Sequence, residues 1–273
     1  MSGEGDDEDG GRRAPDGVRG ADHGTGTAAP PGADAPDGGR EPALRGPFDL
    51  GALPARSAPP APAPVRGTLA VPAGRHDALL AVPRAAADGP VPLLVFFHGS
   101  GGTPQQSLGL VGEAAERHGV AVLAPRSSEY TWDVVVGEPG PDVGALRRAL
   151  AGTLAHLDLA PGALCLGGFS DGASYALTVG LANPGTVEAV TAFSPGFVVD
   201  GVPGRRPRCF VSHGTADRVL PIDRTSRVVV PRLRRSGHDV EHREFDGGHE
   251  VPVDAVEAAF GWWLDPHRRT GTG

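Results

Sequence analysis

The sequence predicts an α/β fold, a mostly parallel, doubly wound sheet flanked by helices. Three observations carry that reading. Short apolar runs alternate with stretches of helical periodicity between Leu93 and Leu264. The runs are continuous rather than alternating, LLVFF at 93–97 being the clearest, as expected of strands covered on both faces. Polar, Gly-rich segments with reactive side chains recur just after those runs, at the strand ends where open α/β sheets gather their sites.

The elements follow in order. Residues 1–64 are mainly Gly, Pro, Ala, Asp and Arg, with almost no aromatic or β-branched residues, and are expected to be a disordered extension. Within it, Ala43 to Leu53 is mildly apolar and suited to docking on the domain. Residues 65–273 form the folded domain. Val65–Val71 and Asp77–Val82 read as a hairpin turning at Pro72–Arg75. Leu93–Phe97 is the first buried strand. Pro104–His118 is a helix with Leu108, Val111 and Ala115 on one stripe, stopped by Gly119. Val120–Ala124 is the next strand, and Arg126–Pro141 is irregular.

A second helix is expected from Asp142, read as its N-cap, with Val143, Leu146, Leu150, Leu154 and Leu157 at helical spacing. Strands are expected at 163–166, 189–193, 208–212 and 240–245. Helices are expected at 173–181, 221–236 and 253–264, with Pro231 kinking or shortening the second of these. The short stretch between Gly196 and Arg208 leaves no room for a helical lid domain, so access should be open.

Composition excludes several functions. Net charge is −8, which gives no reason to expect nucleic acid or an anionic membrane as partner. The basic residues are all Arg, which reads as genomic codon bias. The N-terminal MSGEGDDEDG is acidic where a secretory leader is basic and then apolar, and no apolar run reaches the ~20 residues of a membrane span. No integral membrane association is expected. The two cysteines, Cys165 and Cys209, fall on strands separated by another, roughly 10 Å apart and too far for a disulfide. A reduced, cytoplasmic protein fits. No zinc-type Cys/His spacing occurs, and no metal is expected.

The centre of the chain is ALCLGGFSDGASYAL, residues 163–177. A strand, Gly-x-Ser-x-Gly and a helix in that order are the context of a nucleophile elbow. Gly168 and Gly172 leave room for close backbone approach, and Ser170 stands at a helix N-terminus, which favours developing negative charge. A serine hydroxyl needs a base, and the base needs a carboxylate to hold its tautomer. Later in the chain, each after a strand, come Asp217 and then His249. Asp223 and Asp246 are the competing acids, both read as solvated. His213 is read as a structural hydrogen-bonding residue, and His98 as the start of the loop HGSGG. That loop supplies Ser100 N–H, which with Asp171 N–H forms the expected oxyanion hole. Tyr130, Trp132 and Asp133 follow a strand and are candidate pocket residues, with Trp132 equally suited to anchor the core.

Together LLVFFHGSGG, VLAPR, GGFSDGASYAL, AFSPGF, HGTADRVLP and FDGGHEVP resemble the α/β-hydrolase superfamily, and within it the phospholipase/carboxylesterase family that includes acyl-protein thioesterases. The resemblance implies Ser170 as nucleophile, Asp217 as acid, His249 as base, and backbone donors at Ser100 and Asp171. It implies hydrolysis of small-molecule carboxylic esters or thioesters with no cofactor. The sequence departs in carrying Asp171 where the thioesterases usually carry Gln, so a lipidated-protein substrate is not implied. Feruloyl-esterase-like and polyester-depolymerase-like hydrolases share the same pieces. An α/β-hydrolase peptidase usually adds a gating domain, and a non-catalytic binding module on this fold tends to lose triad members; this sequence has neither feature.

Overall fold

The computed structural model describes residues 48–53, 66–84, 89–136, 140–199 and 206–265. All belong to the unit Ala43–Gly273. The expected extension, residues 1–64, lies outside the described residues apart from 48–53.

Eight strands form one sheet: β1 (Gly67–Val71), β2 (Ala78–Val82), β3 (Val91–Phe97), β4 (Ala121–Ala124), β5 (Leu159–Phe169), β6 (Ala189–Phe193), β7 (Arg208–Gly214) and β8 (Val240–Phe245). Their order is β1-β2-β4-β3-β5-β6-β7-β8. The expected hairpin is present, Gly67 opposing Val82, and β2 runs antiparallel to β4. From β4 through β8 every pairing is parallel. The chain crosses between parallel neighbours through α1 (Pro104–His118), α3 (Asp171–Ala182) and α4 (Ser226–Arg235), passes from β4 beyond β3 to β5 through α2 (Pro141–Leu154), and continues after β8 into α5 (Val253–Leu264).

Alternation along the strands divides the core between two faces. Leu93, Val95 and Phe97 of β3 pack with α2, α3 and α4, whereas Leu94 and Phe96 pack with α1 and α5. Each such side chain contributes roughly 1.5–3 kcal/mol by leaving water. α1 starts with a reciprocal cap, since Gln106 N–H donates to Thr103 Oγ1 (3.3 Å) and Thr103 N–H to Gln106 Oε1 (2.9 Å). It stops at Gly119, at φ 67°. Cys165 and Cys209 are free and buried. Burial pushes the Cys165 thiol well up and that of Cys209 up to about 12.

Three sequence expectations need correction. β5 begins four residues early, at Leu159, because Val91 N–H donates to Asp158 O (2.8 Å) and draws that segment into the sheet past Pro161. Asp142 does not cap α2; Gly140 holds that position, with Pro141 at the first turn. The Asp142 carboxylate turns inward and accepts from Ser128 N–H (2.7 Å) and Asp133 N–H (2.9 Å). The helix expected at 221–236 divides into a 3-10 turn, Ile222–Arg224, and α4, and Pro231 lies within α4 without ending it. A backbone break at Thr225, φ −125° and ψ −99°, separates the two pieces.

Phe48–Leu53 lies against the end of α3. Leu50 is buried, its N–H donates to Asn183 Oδ1 (2.7 Å), and Asn183 Nδ2 donates to Phe48 O (2.8 Å).

Candidate active site

β5 delivers the chain to the carboxyl edge of the sheet, and α3 leaves it at once. Ser170, between them, sits at φ 57° and ψ −119°, a conformation that costs a non-Gly residue on the order of 1–3 kcal/mol. Ser170 N–H donates to Phe193 O (2.9 Å), while Ala173 N–H and Ser174 N–H donate to Ser170 O at 3.0 and 3.1 Å. The flanking glycines are required by contact. A Cβ on Gly168 would stand 2.3 Å from Gly172 O, and one on Gly172 2.2 Å from Phe97 O.

The loops after β7 and β8 are stitched together, Thr215 N–H donating to Phe245 O and Ala216 N–H to Gly247 O. They bring Asp217 and His249 to Ser170. His249 Nε2 is 2.9 Å from Ser170 Oγ, and His249 Nδ1 is 2.7 Å from Asp217 Oδ2. Those distances fix the proton positions: Nδ1–H donates to the carboxylate, leaving Nε2 to accept from the hydroxyl. Asp217 Oδ1 accepts from Val219 N–H and Leu220 N–H, both at 2.8 Å. Burial works against its charge, but the Leu220 N–H, His249 and the Val219 N–H outweigh it and hold the carboxyl below its ordinary range. Phe169 leans on the imidazole, ring centroids 4.7 Å apart.

The competing acids are elsewhere. Asp223 pairs with Arg227 on the surface (2.7 Å), and Asp246 is exposed.

In the loop HGSGG, Gly101 N–H donates to Tyr130 O (2.7 Å) and Gly102 N–H to Gly99 O (3.0 Å). Ser100 N–H and Asp171 N–H have no partner among the described residues. A Cβ on Gly99 would lie 3.4 Å from Ser170 Cβ, so this loop runs directly beside the serine. His98 anchors it: Nε2 accepts from Ser127 N–H (3.2 Å) and Nδ1–H donates to Gly99 O (2.7 Å). An open groove of about 400 Å³ extends from this loop between Phe169 and Leu110.

The three candidate pocket residues separate. Tyr130 is 75 % exposed, its ring against Gly101. Trp132 is 1 % exposed and stacks on Tyr175 at 4.9 Å, edge-on to Phe97, with its indole N–H donating to His98 O (2.8 Å). It is a core anchor rather than a wall of the groove. Asp133 is buried behind it and accepts from Gly140 N–H and Asp142 N–H. Burial, reinforced by the Asp142 charge, pushes the Asp133 carboxyl up. Both residues hold the shape of the 126–136 segment from inside.

Two contacts were not anticipated from the sequence. Thr131 Oγ1 donates to Asp171 Oδ2 (2.7 Å), tying the residue after Ser170 to that loop. His213, expected only to make a structural hydrogen bond, also approaches the acid, with Nε2 3.2 Å from Asp217 Oδ2. The His213-Gly214 pair at a strand end was its visible signal, but nothing local pointed to the carboxylate.

No family model matches the sequence, and no curated protein matches it. Solved structures do. Esterase PE8 is 22 % identical, with 72 % of this chain and 98 % of that chain covered at a TM-score of 0.53. The S-formylglutathione hydrolase FrmB from Staphylococcus aureus is 11 % identical, covering 73 % and 99 % at a TM-score of 0.59. Esterase 2 of Thermogutta terrifontis, phosphorylated by paraoxon, is 18 % identical, covering 76 % and 95 % at 0.57. At these identities the likeness is one of fold, and with the sheet order and the sharp turn at Ser170 it shows that the chain adopts the α/β-hydrolase fold.

Proposed function

We propose that this chain is a serine hydrolase that cleaves carboxylic esters or thioesters through an acyl-enzyme on Ser170. The observation that carries the reading is the continuous contact from Asp217 through His249 to the Ser170 hydroxyl, 2.7 and then 2.9 Å. His249 Nε2 takes the proton of Ser170 as Oγ attacks the acyl carbon. Asp217 keeps the imidazole in its Nδ1–H form and offsets the charge that develops on it. The free N–H groups of Ser100 and Asp171 serve the oxyanion, at the start of α3 where the helix dipole favours negative charge. Collapse of the tetrahedral intermediate passes the His249 proton to the leaving alcohol or thiol. Water, deprotonated by the same imidazole, then releases the acid.

The substrate class follows from the groove. It is open, walled by Phe169, Leu110 and the glycine loop, and Tyr130 stands exposed at the loop. That suits a small ester with a modest apolar acyl or alcohol group. By its motifs the chain resembles the phospholipase/carboxylesterase family, and an esterase of the same fold is phosphorylated by paraoxon. Two buried, free thiols favour a reducing compartment, and we place the protein in the cytoplasm. Among the described residues no helix is long and apolar enough to cross a membrane.

The test is turnover of a panel of p-nitrophenyl esters of increasing acyl length by the wild type and by Ser170→Ala. The short esters should be hydrolysed by the wild type alone. Absence of hydrolysis at every length would instead favour a non-catalytic module.

A further inference from the structure

His213 is buried at the end of β7, and each of its ring nitrogens has a defined neighbour. Nδ1 is 2.6 Å from Ser226 Oγ, at the start of α4. Nε2 is 2.8 Å from Leu220 O and 3.2 Å from Asp217 Oδ2. Two acceptors, a carbonyl and a carboxylate, face Nε2, so the proton belongs there, aimed at Leu220 O with the carboxylate beside it. Nδ1 is then an acceptor, and the Ser226 hydroxyl is its donor. Burial favours the neutral ring, against the pull of Leu220 O and Asp217. Leu220 is held at both ends, its carbonyl by His213 and its N–H by Asp217 Oδ1 (2.8 Å).

Resting on the serine-hydrolase reading above, we infer that His213 is a positioning residue for the acid: with Ser226 it fixes the Asp217–Leu220 loop and places an N–H dipole against the same carboxylate oxygen that holds His249. Asp217 Oδ2 is thus shared between two imidazoles, that of His249, which meets Ser170 Oγ, and that of His213, which is tied to Leu220 O and Ser226 Oγ. The shared oxygen draws less strongly on the His249 proton than an unshared one would. The other titratable and charged groups around this pair are His249 itself, His242 and Glu244 on β8, and Arg227 and Arg234 of α4, which face His242. Glu244 is held in a surface pair with Arg227 (2.6 Å).

The experiment compares wild type, His213→Leu and His213→Gln. Gln keeps an N–H donor near the position of Nε2, and Leu does not. The ring of His249 is titrated by NMR in each, alongside the pH profile of kcat/KM for a short p-nitrophenyl ester. In His213→Leu the His249 midpoint and the acidic limb should both move up, by about half to one pH unit, and Gln should restore most of the difference. A folded His213→Leu protein with an unmoved His249 midpoint overturns the inference. Should the Leu variant not fold, nitrogen chemical shifts of His213 in the wild type decide. The neutral Nε2–H tautomer is expected at about pH 7, and an Nδ1–H or charged ring there overturns the inference. Loss of ester turnover in every protein, wild type included, would count against the hydrolase reading, while the NMR titrations would still judge His213.

Discussion

Gly172 packs so closely under the end of β3 that a Cβ on it would stand 2.2 Å from the Phe97 carbonyl oxygen and 2.4 Å from that of His98. Backbone, not a flexible side chain, occupies the space. The same two residues lead into the Gly-rich loop that carries Ser100, so one contact sets the elbow against that loop. Gly172→Ala must therefore push β3 and α3 apart. We expect a loss of stability of about 2–4 kcal/mol, by overpacking against rigid backbone. Whatever folds should also lose ester hydrolysis. Chemical denaturation with activity measured on the folded fraction checks both.

Trp132 and Tyr130 are two positions apart and do opposite things. Trp132→Ala removes the partner of Tyr175 and Phe97 and the donor to His98 O, and should cost about 3–5 kcal/mol. Tyr130→Ala, at an exposed position, should change stability by less than about 0.5 kcal/mol. If Tyr130 borders the substrate, its variant should show altered KM across the ester panel at constant Tm. Equal stability losses in the two variants would contradict this division.

Three histidines, His98, His213 and His242, are held below the ordinary imidazole value chiefly by burial, with nearby cationic groups such as Arg126 for His98 and Arg234 for His242 adding to it. Depressed folded-state values mean that the unfolded chain binds more protons as pH falls through about 6.5. Stability should be full above that pH and decline below it, before the carboxylates titrate. Asp217 acts the same way at lower pH. Its folded value is depressed, so its contribution is present above the ordinary carboxylate range and is lost on further acidification. Melting temperature measured from about pH 8 to pH 5 should fall across the lower half of that range, and His242→Gln should flatten the fall. A flat profile in the wild type would contradict the neutral, buried state of these rings.

What the sequence made legible was what short-range pattern encodes. α1, α5, β6 and β8 stand at the expected residues; a stripe of apolar positions and a Gly119 stop define α1, a similar stripe α5, and a largely apolar run β6. The elbow was legible because Gly168, Ser170 and Gly172 each answer a local steric demand. The proximity of Asp217 and His249 to Ser170 was legible only through the order of strand ends along a sheet edge. Long-range contacts were not legible. Trp132 is in the core because Tyr175 and Phe97 meet it there. Asp142 left the cap position because Ser128 and Asp133 supply it with N–H donors. β5 was lengthened by β3, which pairs with Leu159 through a bulge. The contact of His213 with Asp217 closes only when β7, its loop and α4 have packed, and no spacing in the sequence announces it.

The central claim is that the hydroxyl of Ser170 is activated by His249. It is tested most directly by intact mass after incubation with a fluorophosphonate, followed by peptide mapping of wild type, Ser170→Ala and His249→Ala. One adduct, on Ser170, is expected in the wild type, none in Ser170→Ala, and labelling slowed by roughly a thousandfold or more in His249→Ala. A wild-type protein that stays unlabelled, or His249→Ala labelled on Ser170 at the wild-type rate, would contradict the account.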